Sequence, residues 1–235
     1  MASHFDRIAG AYNRSLPSHV VAHYLDRRFD LLREVVPPPG PVLDVGCGTG
    51  LLAWKLNTAG YAVTGLDASR GMLSEGEALP GYPGGIVELF YRVQGDATHL
   101  PFRDCSFPAV VTIATLHHIV APDLVRAAIH EMLRVTTPCG AAVIWDHNPL
   151  NPYWPFLMRR VPQDEGDTRL VPLSEILAAL DGASVQAFRR GWVPDFVPAW
   201  GLPALAILER TLEAVPGIKA FAAHNVVIVR KRDPA

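Results

Sequence analysis

Residues 42–50 read VLDVGCGTG, a short apolar run that leads directly into three closely spaced glycines. This texture predicts a buried strand, a tight turn and a helix, because glycine permits turn dihedrals and lets a backbone approach a ligand. A dinucleotide fingerprint reads G-x-G-x-x-G, whereas Gly46, Gly48 and Gly50 read G-x-G-x-G behind Asp44. The spacing therefore favours a ligand that carries an ammonium group and no phosphate.

Short apolar runs alternate with amphipathic stretches on both sides of this loop. The alternation predicts an α/β fold in which helices connect the strands of a mostly parallel sheet. Helices are expected over residues 51–59, closed by Gly60, over 123–135 and near 174–180. Strands are expected over residues 42–45, 61–66, about 89–94, 109–113, 141–145, near 183–189 and 225–230.

An N-terminal helical arm precedes this alternating region. Residues 18–36 carry apolar side chains at helical spacing, with Ser18 as a candidate N-cap, and the prolines of 37–40 end the helix. We therefore predict a helical arm or cap over 1–36 and a ligand-binding domain over 37–235. Two irregular insertions, near residues 148–172 and 191–223, are expected to form lids over the ligand.

Composition narrows the classes of function. Lys and Arg total 21 against 23 Asp and Glu, so no basic excess is available for nucleic acid. The spacing of Cys47, Cys105 and Cys139 suggests neither a disulfide framework nor a zinc site, and no metal is expected. Since no segment reaches 18 uninterrupted apolar residues, we expect no membrane span, and we expect a cytoplasmic monomer or homodimer.

Two further acidic residues follow predicted strands. Asp67 ends the second strand, where a carboxylate can chelate both hydroxyls of a ribose, and capping of the next helix is the alternative role. Asp96 follows the third strand and could accept a hydrogen bond from an adenine amino group, or simply form a turn. Together with Asp44, these carboxylates are predicted to converge at the carboxyl edge of the sheet.

The chain resembles the class I S-adenosylmethionine (SAM)-dependent methyltransferases, particularly the small-molecule group that includes menaquinone and ubiquinone biosynthesis enzymes. The resemblance implies a Rossmann-like, doubly wound sheet of seven mostly parallel strands with an antiparallel last strand. It also implies SAM as the cofactor. Besides the glycine loop, the segments that carry it are residues 5–12, 66–69 with 72–73, 95–97 with 100–102, and 115–118.

The same resemblance assigns residues to the parts of the cofactor. The glycine loop lines the methionine part, Asp67 and Ala68 the ribose, and Asp96 and Ala97 the adenine. Tyr12 would help to cover the cofactor. The full set of implied contacts is Tyr12, Asp44, Gly46, Cys47, Gly48, Asp67, Ala68, Met72, Asp96, Ala97, Ala114 and Thr115.

Methyl transfer to oxygen or to an acidic carbon also requires that the acceptor lose a proton. Histidine suits this task near neutral pH, and we rank His118 and His147 first and His117 next. Each of these histidines could instead be a structural hydrogen-bonding residue. The aromatic residues of the arm and the insertions predict a small hydrophobic or aromatic acceptor, and ordinary packing beneath the long loops is the alternative.

Two other classes of function compete with methyl transfer. A nicotinamide-dependent oxidoreductase would need the third glycine one position later and a pyrophosphate site. A SAM-binding protein that regulates, binds a partner or scaffolds a cyclisation would keep the same cofactor residues. Release of S-adenosylhomocysteine with a genuine acceptor separates this second alternative from an enzyme that transfers methyl groups.

Overall fold

The computed structural model describes residues 4–36, 39–75, 90–158, 168–180 and 183–232. Seven strands form one sheet in the order β3-β2-β1-β4-β5-β7-β6. The strands are β1 (Pro41–Val45), β2 (Ala62–Asp67), β3 (Tyr91–Gln94), β4 (Phe107–Ile113), β5 (Thr136–His147), β6 (Ser184–Arg190) and β7 (His224–Arg230). The beginning of the strand expected at about 89–94 lies outside the described residues.

The sheet is parallel except at one strand. Strands β1 to β5 pair in parallel, whereas β7 runs antiparallel to both β5 and β6. This confirms the predicted α/β class and the antiparallel last strand. The strand order reverses between β1 and β4, which opens a crevice at the carboxyl ends of these central strands.

Helices cover both faces of the sheet. They are α1 (His4–Tyr12), α2 (Ser18–Val35), α3 (Leu51–Thr58), α4 (Arg70–Glu75), α5 (Pro122–Val135), α6 (Trp154–Leu157), α7 (Leu173–Ala178) and α8 (Leu202–Ala214). The side chains of α5 and α7 pack on one face around Val110, and those of α2 and α3 pack on the other around Val111. Because both faces are covered, the central strands are continuously apolar.

Three local predictions were wrong. Ser18 is the first residue of α2 rather than its cap, and Pro17 holds the N-cap position without a side-chain hydrogen bond. Strand β5 is much longer than 141–145, because its pairing with β4 continues to Thr136 across a register shift, in the stretch where Cys139 has φ of 60°. The stretch 191–223 is not irregular throughout, since it contains the thirteen-residue helix α8.

The inner face of helix α8 is mixed, because Leu202 and Leu205 pack against an apolar cluster with Val20 of α2 while its most buried side chains are acidic. Its buried residues are Glu209 and Glu213, while Ile207 and Leu208 are exposed. Of the other predicted insertion, residues 159–167 lie outside the described part of the chain. The division at residue 36 stays a prediction. Among the described residues, no helix is long and apolar enough to cross a membrane.

Candidate active site

The glycine loop begins where β1 ends and folds back on the neighbouring strand. The backbone N–H groups of Gly46 and Cys47 both donate to the carbonyl oxygen of Leu66, at 2.7 and 3.0 Å. Gly46, with φ of 75°, adopts a left-handed conformation that favours glycine. A Cβ atom at Gly46 would also overlap the side chain of Thr115, so the loop backbone lies directly against the end of β4.

Asp67 bridges this loop to the next turn. Its Oδ2 accepts a hydrogen bond from the Gly48 N–H, and its Oδ1 accepts one from the Ser69 N–H, both at 2.8 Å. Burial raises the pKa of the Asp67 carboxyl, although these backbone hydrogen bonds oppose the rise. Asp67 thus fixes the glycine loop while it faces the cavity described below.

Asp44 lies behind the loop and is almost completely buried. Its side chain is only 2% exposed, and burial raises its pKa to about 7, with a further contribution from the charge of Asp67. The guanidinium of Arg28 opposes this rise. A cation brought beside Asp44 would therefore find a carboxyl group that ionises readily once it has a partner.

Asp96 forms the turn that was one of its two predicted roles, and its contact with adenine stays a prediction. Its Oδ1 accepts hydrogen bonds from the backbone N–H and the hydroxyl of Thr98, at 2.8 and 2.9 Å, as in a turn. The residue nevertheless lines the cavity, together with Ala97. Turn formation and ligand contact are compatible here, because the turn engages only one of the two carboxylate oxygens.

A buried cluster of two histidines and one aspartate lies beyond the ends of β4 and β5. His117 Nδ1 is 2.8 Å from Asp146 Oδ1, and His147 Nδ1 is 3.0 Å from His117 Nδ1. Asp146 also accepts the backbone N–H of Leu116, at 2.6 Å. Burial alone would raise the pKa of Asp146, but the two histidines lower it well below its ordinary value. The aspartate is therefore an ionised partner for both rings.

This cluster is also the one group of described residues whose ligand atoms are close enough to hold a metal ion. Its atoms lie within 4.8 Å of one another. Hydrogen bonds account for this proximity, because both carboxylate oxygens of Asp146 already accept backbone N–H groups, from Leu116 and His147. The expectation that the site uses no metal stays a prediction.

Aromatic rings surround the histidines. His147 packs edge-on against Trp154, with ring centroids 3.7 Å apart, and His118 packs against Phe5 at 4.8 Å. Phe5 lies on α1, and Asp6 of the same helix accepts hydrogen bonds from the hydroxyl of Ser69 and the N–H of Gly71. Helix α1 is thereby attached to the loop after β2 and closes over the sheet edge.

All fifteen residues predicted for the site line one cavity of about 460 Å³. The cavity also includes residues that sequence reasoning did not assign to the site, namely Asn13, Arg28, Thr49, Asp195 and His224. The sequence contained one indication that Arg28 belongs to the site. It follows Tyr24 by one helical turn, so both side chains lie on the same face of α2. Nothing in the sequence placed Asp195 or His224 beside the glycine loop.

Comparisons with known proteins agree with this geometry. Residues 42–140 match a family profile described as a methyltransferase domain. The demethylmenaquinone methyltransferase of Mycolicibacterium paratuberculosis is 34% identical over 172 residues, which cover 69% of each chain. That of Paenarthrobacter aurescens is 38% identical over 127 residues, which are 52% of this chain and 46% of that one, so the match spans less than half of that relative.

Solved structures show the same fold. The YcgJ protein of Bacillus subtilis superposes with a TM-score of 0.62 at 22% identity, covering 90% of this chain and 99% of that chain. The magnesium protoporphyrin IX methyltransferase of Synechocystis, with bound S-adenosylhomocysteine, gives 0.60 at 18% identity, covering 89% and 82%.

The fold and the site define a SAM-dependent methyltransferase, and this chain belongs to the class I family of these enzymes. Its cofactor is SAM. Among the curated relatives, it is similar to demethylmenaquinone methyltransferases.

Proposed function

We propose that this enzyme transfers the methyl group of SAM to an oxygen or carbon atom of a small, hydrophobic or aromatic acceptor. The observation that carries the proposal is the composition of the cavity walls. The lining combines the glycine loop and the carboxylates Asp44, Asp67 and Asp96 with aromatic rings and histidines. A polar cofactor and an apolar acceptor can therefore lie side by side in one enclosed space.

The carboxylates among the lining residues suit the polar parts of SAM. Asp44 would receive the ammonium group, Asp67 the ribose hydroxyls and Asp96 the adenine amino group. Each oxygen of Asp67 accepts one backbone hydrogen bond in the structure and keeps a lone pair for a ligand. When bound, SAM supplies an electrophilic methyl group, so the protein's contribution is binding, alignment and exclusion of water.

The aromatic residues of the lining suit a flat, apolar acceptor. Phe5, Tyr12, Tyr24 and Trp154 all line the cavity. The hydroxyl of Tyr24 donates to the carbonyl oxygen of Val193, at 2.8 Å, which fixes the orientation of its ring. Relatives named demethylmenaquinone methyltransferase suggest a naphthoquinone-type ring, while a relative named O-methyltransferase resE, from Aspergillus sclerotiorum, suggests transfer to oxygen.

His117 is the best-supported proton acceptor. It lines the cavity and lies within hydrogen-bond distance of the ionised Asp146, which would stabilise the imidazolium formed when the ring takes a proton. His147 and His118 also line the cavity, and neither lies as close to that carboxylate. The structure thus favours the histidine that the sequence ranked third, because Asp146 joins it from a distant strand.

The test is a turnover assay with purified enzyme, SAM and a panel of reduced naphthoquinones and phenols. We expect stoichiometric release of S-adenosylhomocysteine and methylated product with at least one acceptor. Binding of SAM without release of S-adenosylhomocysteine across the panel would contradict the proposal. The matched variants are His117→Ala in the cavity and His130→Ala on the exposed face of α5.

Removing a general base lowers turnover by about 10²- to 10⁴-fold, and we expect this loss for His117→Ala but not for His130→Ala. Affinity for S-adenosylhomocysteine should stay within about twofold of wild type in both variants. Unchanged turnover of His117→Ala would remove His117 as the base while leaving methyl transfer itself intact.

A further inference from the structure

Arg28 is a cation that points into the cavity from α2. It lines the cavity, and its guanidinium carbon lies 5.8 Å from the centre of the Tyr24 ring. Its Nε atom is buried and has no hydrogen-bond partner in the described part of the chain. A buried donor without a hydrogen-bond partner destabilises the protein, and arginine cannot avoid this cost by losing its proton.

The preceding residue, Arg27, is an arginine of the same helix whose charge has carboxylate partners. Arg27 forms ion pairs with Glu209 and Glu213 of α8, with its Nη2 atom 2.5 Å from Glu213 Oε1. No ion pair joins Arg28 to a carboxylate of the described residues. The structure therefore leaves the charge of Arg28 without a direct counterion inside the cavity.

Two carboxylates lie near enough to influence Arg28 without pairing with it. Burial lowers the pKa of Arg28, while Asp44, Asp146 and the two tyrosines Tyr12 and Tyr24 oppose this decrease. Asp146 is already bonded to Leu116 and the histidine cluster. Asp44 keeps a raised pKa of about 7 even though Arg28 lowers it, as expected for charges that are not in contact.

We propose that Arg28 is an anion-binding residue of this cavity and holds a carboxylate or an ionised oxygen of a bound ligand. The geometry of the guanidinium suits bidentate hydrogen bonding to such a group. The inference rests on the proposed function, because two ligands of that reaction could supply the anion. These are the carboxylate at the amino-acid end of SAM and an ionised group of the acceptor.

The first source agrees best with the charges around the cavity. An amino-acid zwitterion carries an ammonium group and a carboxylate. The cavity offers the carboxyl group of Asp44 and the guanidinium cation of Arg28, which do not form an ion pair with each other. A zwitterion between them would give each side chain its counterion. The glycine loop, which passes close to Asp44, would then hold the atoms between the two charged groups.

The test compares Arg28→Met with Arg33→Met, a control on the exposed side of the same helix. Calorimetric titrations use S-adenosylhomocysteine and 5′-methylthioadenosine, which lacks the amino-acid end. If Arg28 holds the SAM carboxylate, Arg28→Met lowers the affinity for S-adenosylhomocysteine by about tenfold or more. The affinity for methylthioadenosine should change by less than about twofold. Arg28→Lys should recover part of the affinity, since it keeps the charge but not the fork.

A second arm detects an acceptor anion without any need for turnover. Protein loaded with S-adenosylhomocysteine is titrated with 2-naphthoate and with neutral 2-naphthamide. If Arg28 holds the acceptor, Arg28→Met lowers the affinity for naphthoate by about tenfold and leaves the affinities for naphthamide and S-adenosylhomocysteine unchanged. If neither anion loses affinity selectively, or if charged and neutral ligands weaken equally, the assignment is overturned. Because both arms measure binding, a failure of methyl transfer in the turnover assay remains a separate result.

Discussion

Asp44 holds a charge that is costly without a ligand and favourable with one. Burial raises its pKa from 3.8 to about 7. Because the folded state then binds the proton more tightly than the unfolded state, ionisation of Asp44 lowers stability as pH rises from about 4 to 7. The ammonium of SAM would reverse this preference by stabilising the carboxylate.

The affinity for S-adenosylhomocysteine should therefore increase as pH rises from about 6 to 8, because Asp44 then ionises without the ligand having to displace its proton. Asp44→Asn should bind more weakly at the upper end and lose most of this dependence. Calorimetry at several pH values measures both effects. Asp96→Asn is the control, since it leaves Asp44 in place, and equal slopes in Asp44→Asn and wild type would contradict the assignment.

Gly46 and Gly60 share a left-handed backbone conformation but differ in the space around them. Both have positive φ, at 75° and 92°, but a Cβ atom would meet Thr115 at Gly46 and no atom within 4 Å at Gly60. Gly60→Ala should lower the free energy of unfolding by only about 1–2 kcal/mol, the cost of a left-handed backbone for alanine. Gly46→Ala should lose a further 1–3 kcal/mol or so through overpacking.

Denaturant unfolding measures these losses, and calorimetry with S-adenosylhomocysteine separates stability from binding. Gly46→Ala should weaken the ligand because the loop must shift away from Thr115, whereas Gly60→Ala should bind it like wild type. Equal affinity in the two variants would show that the backbone at Gly46 does not position the ligand.

At the scale of elements, buried charges join α8 to α2, in addition to an apolar cluster in which Leu202 and Leu205 of α8 pack near Val20 of α2. Glu209 is 1% exposed and accepts hydrogen bonds from His23 of α2 and from the backbone N–H of Trp192. Burial would raise the pKa of Glu209, but these hydrogen bonds and the charge of Arg27 lower it. Its stabilising contribution is therefore present above its ordinary pKa and is lost as pH falls through the lowered value.

Glu209→Ala should destabilise the protein by about 1–3 kcal/mol or more, because it leaves His23 and the backbone N–H groups of Trp192 and Val193 without their acceptor. Glu175→Ala removes the half-exposed ion pair with Arg169 and should cost less than about 1 kcal/mol. Chemical denaturation of the two variants gives the comparison. Similar losses would mean that α8 is held by contacts other than this network.

At the scale of the whole molecule, the sheet gathers groups from distant parts of the chain at one edge. The register aligns Asp44 of β1 with Val111 of β4, and Ile113 of β4 with Trp145 of β5. The carboxyl ends of β1, β4 and β5 consequently face the same space, which α1 and α2 cover. A ligand that fills this space contacts the arm and the sheet together and should stabilise the entire fold.

S-adenosylhomocysteine at 100 times its dissociation constant should raise the free energy of unfolding by about 2.7 kcal/mol. For a chain of this size, the midpoint of thermal unfolding then increases by roughly 5–11 °C. NAD at the same concentration should change it by less than about 1 °C, since the glycine spacing provides no pyrophosphate site. A comparable shift with NAD would contradict the cofactor assignment.

The sequence by itself determined the sheet class, the glycine loop and the acidic residues that follow the strands. These features are local, because strand periodicity and glycine dihedrals are set by residues a few positions apart. All residues predicted for the site line one cavity. The cofactor roles of the individual residues remain predictions.

Only the tertiary structure decided which side chains meet across the sheet edge. Asp146 lies 29 residues from His117, and Glu209 lies 186 residues from His23, so no local pattern could pair them. The same holds for Arg28, because no local pattern shows that it lines the same cavity as Asp44 of β1 and His147 of β5. Contacts between distant residues depend on how the elements pack, and packing follows from the whole chain.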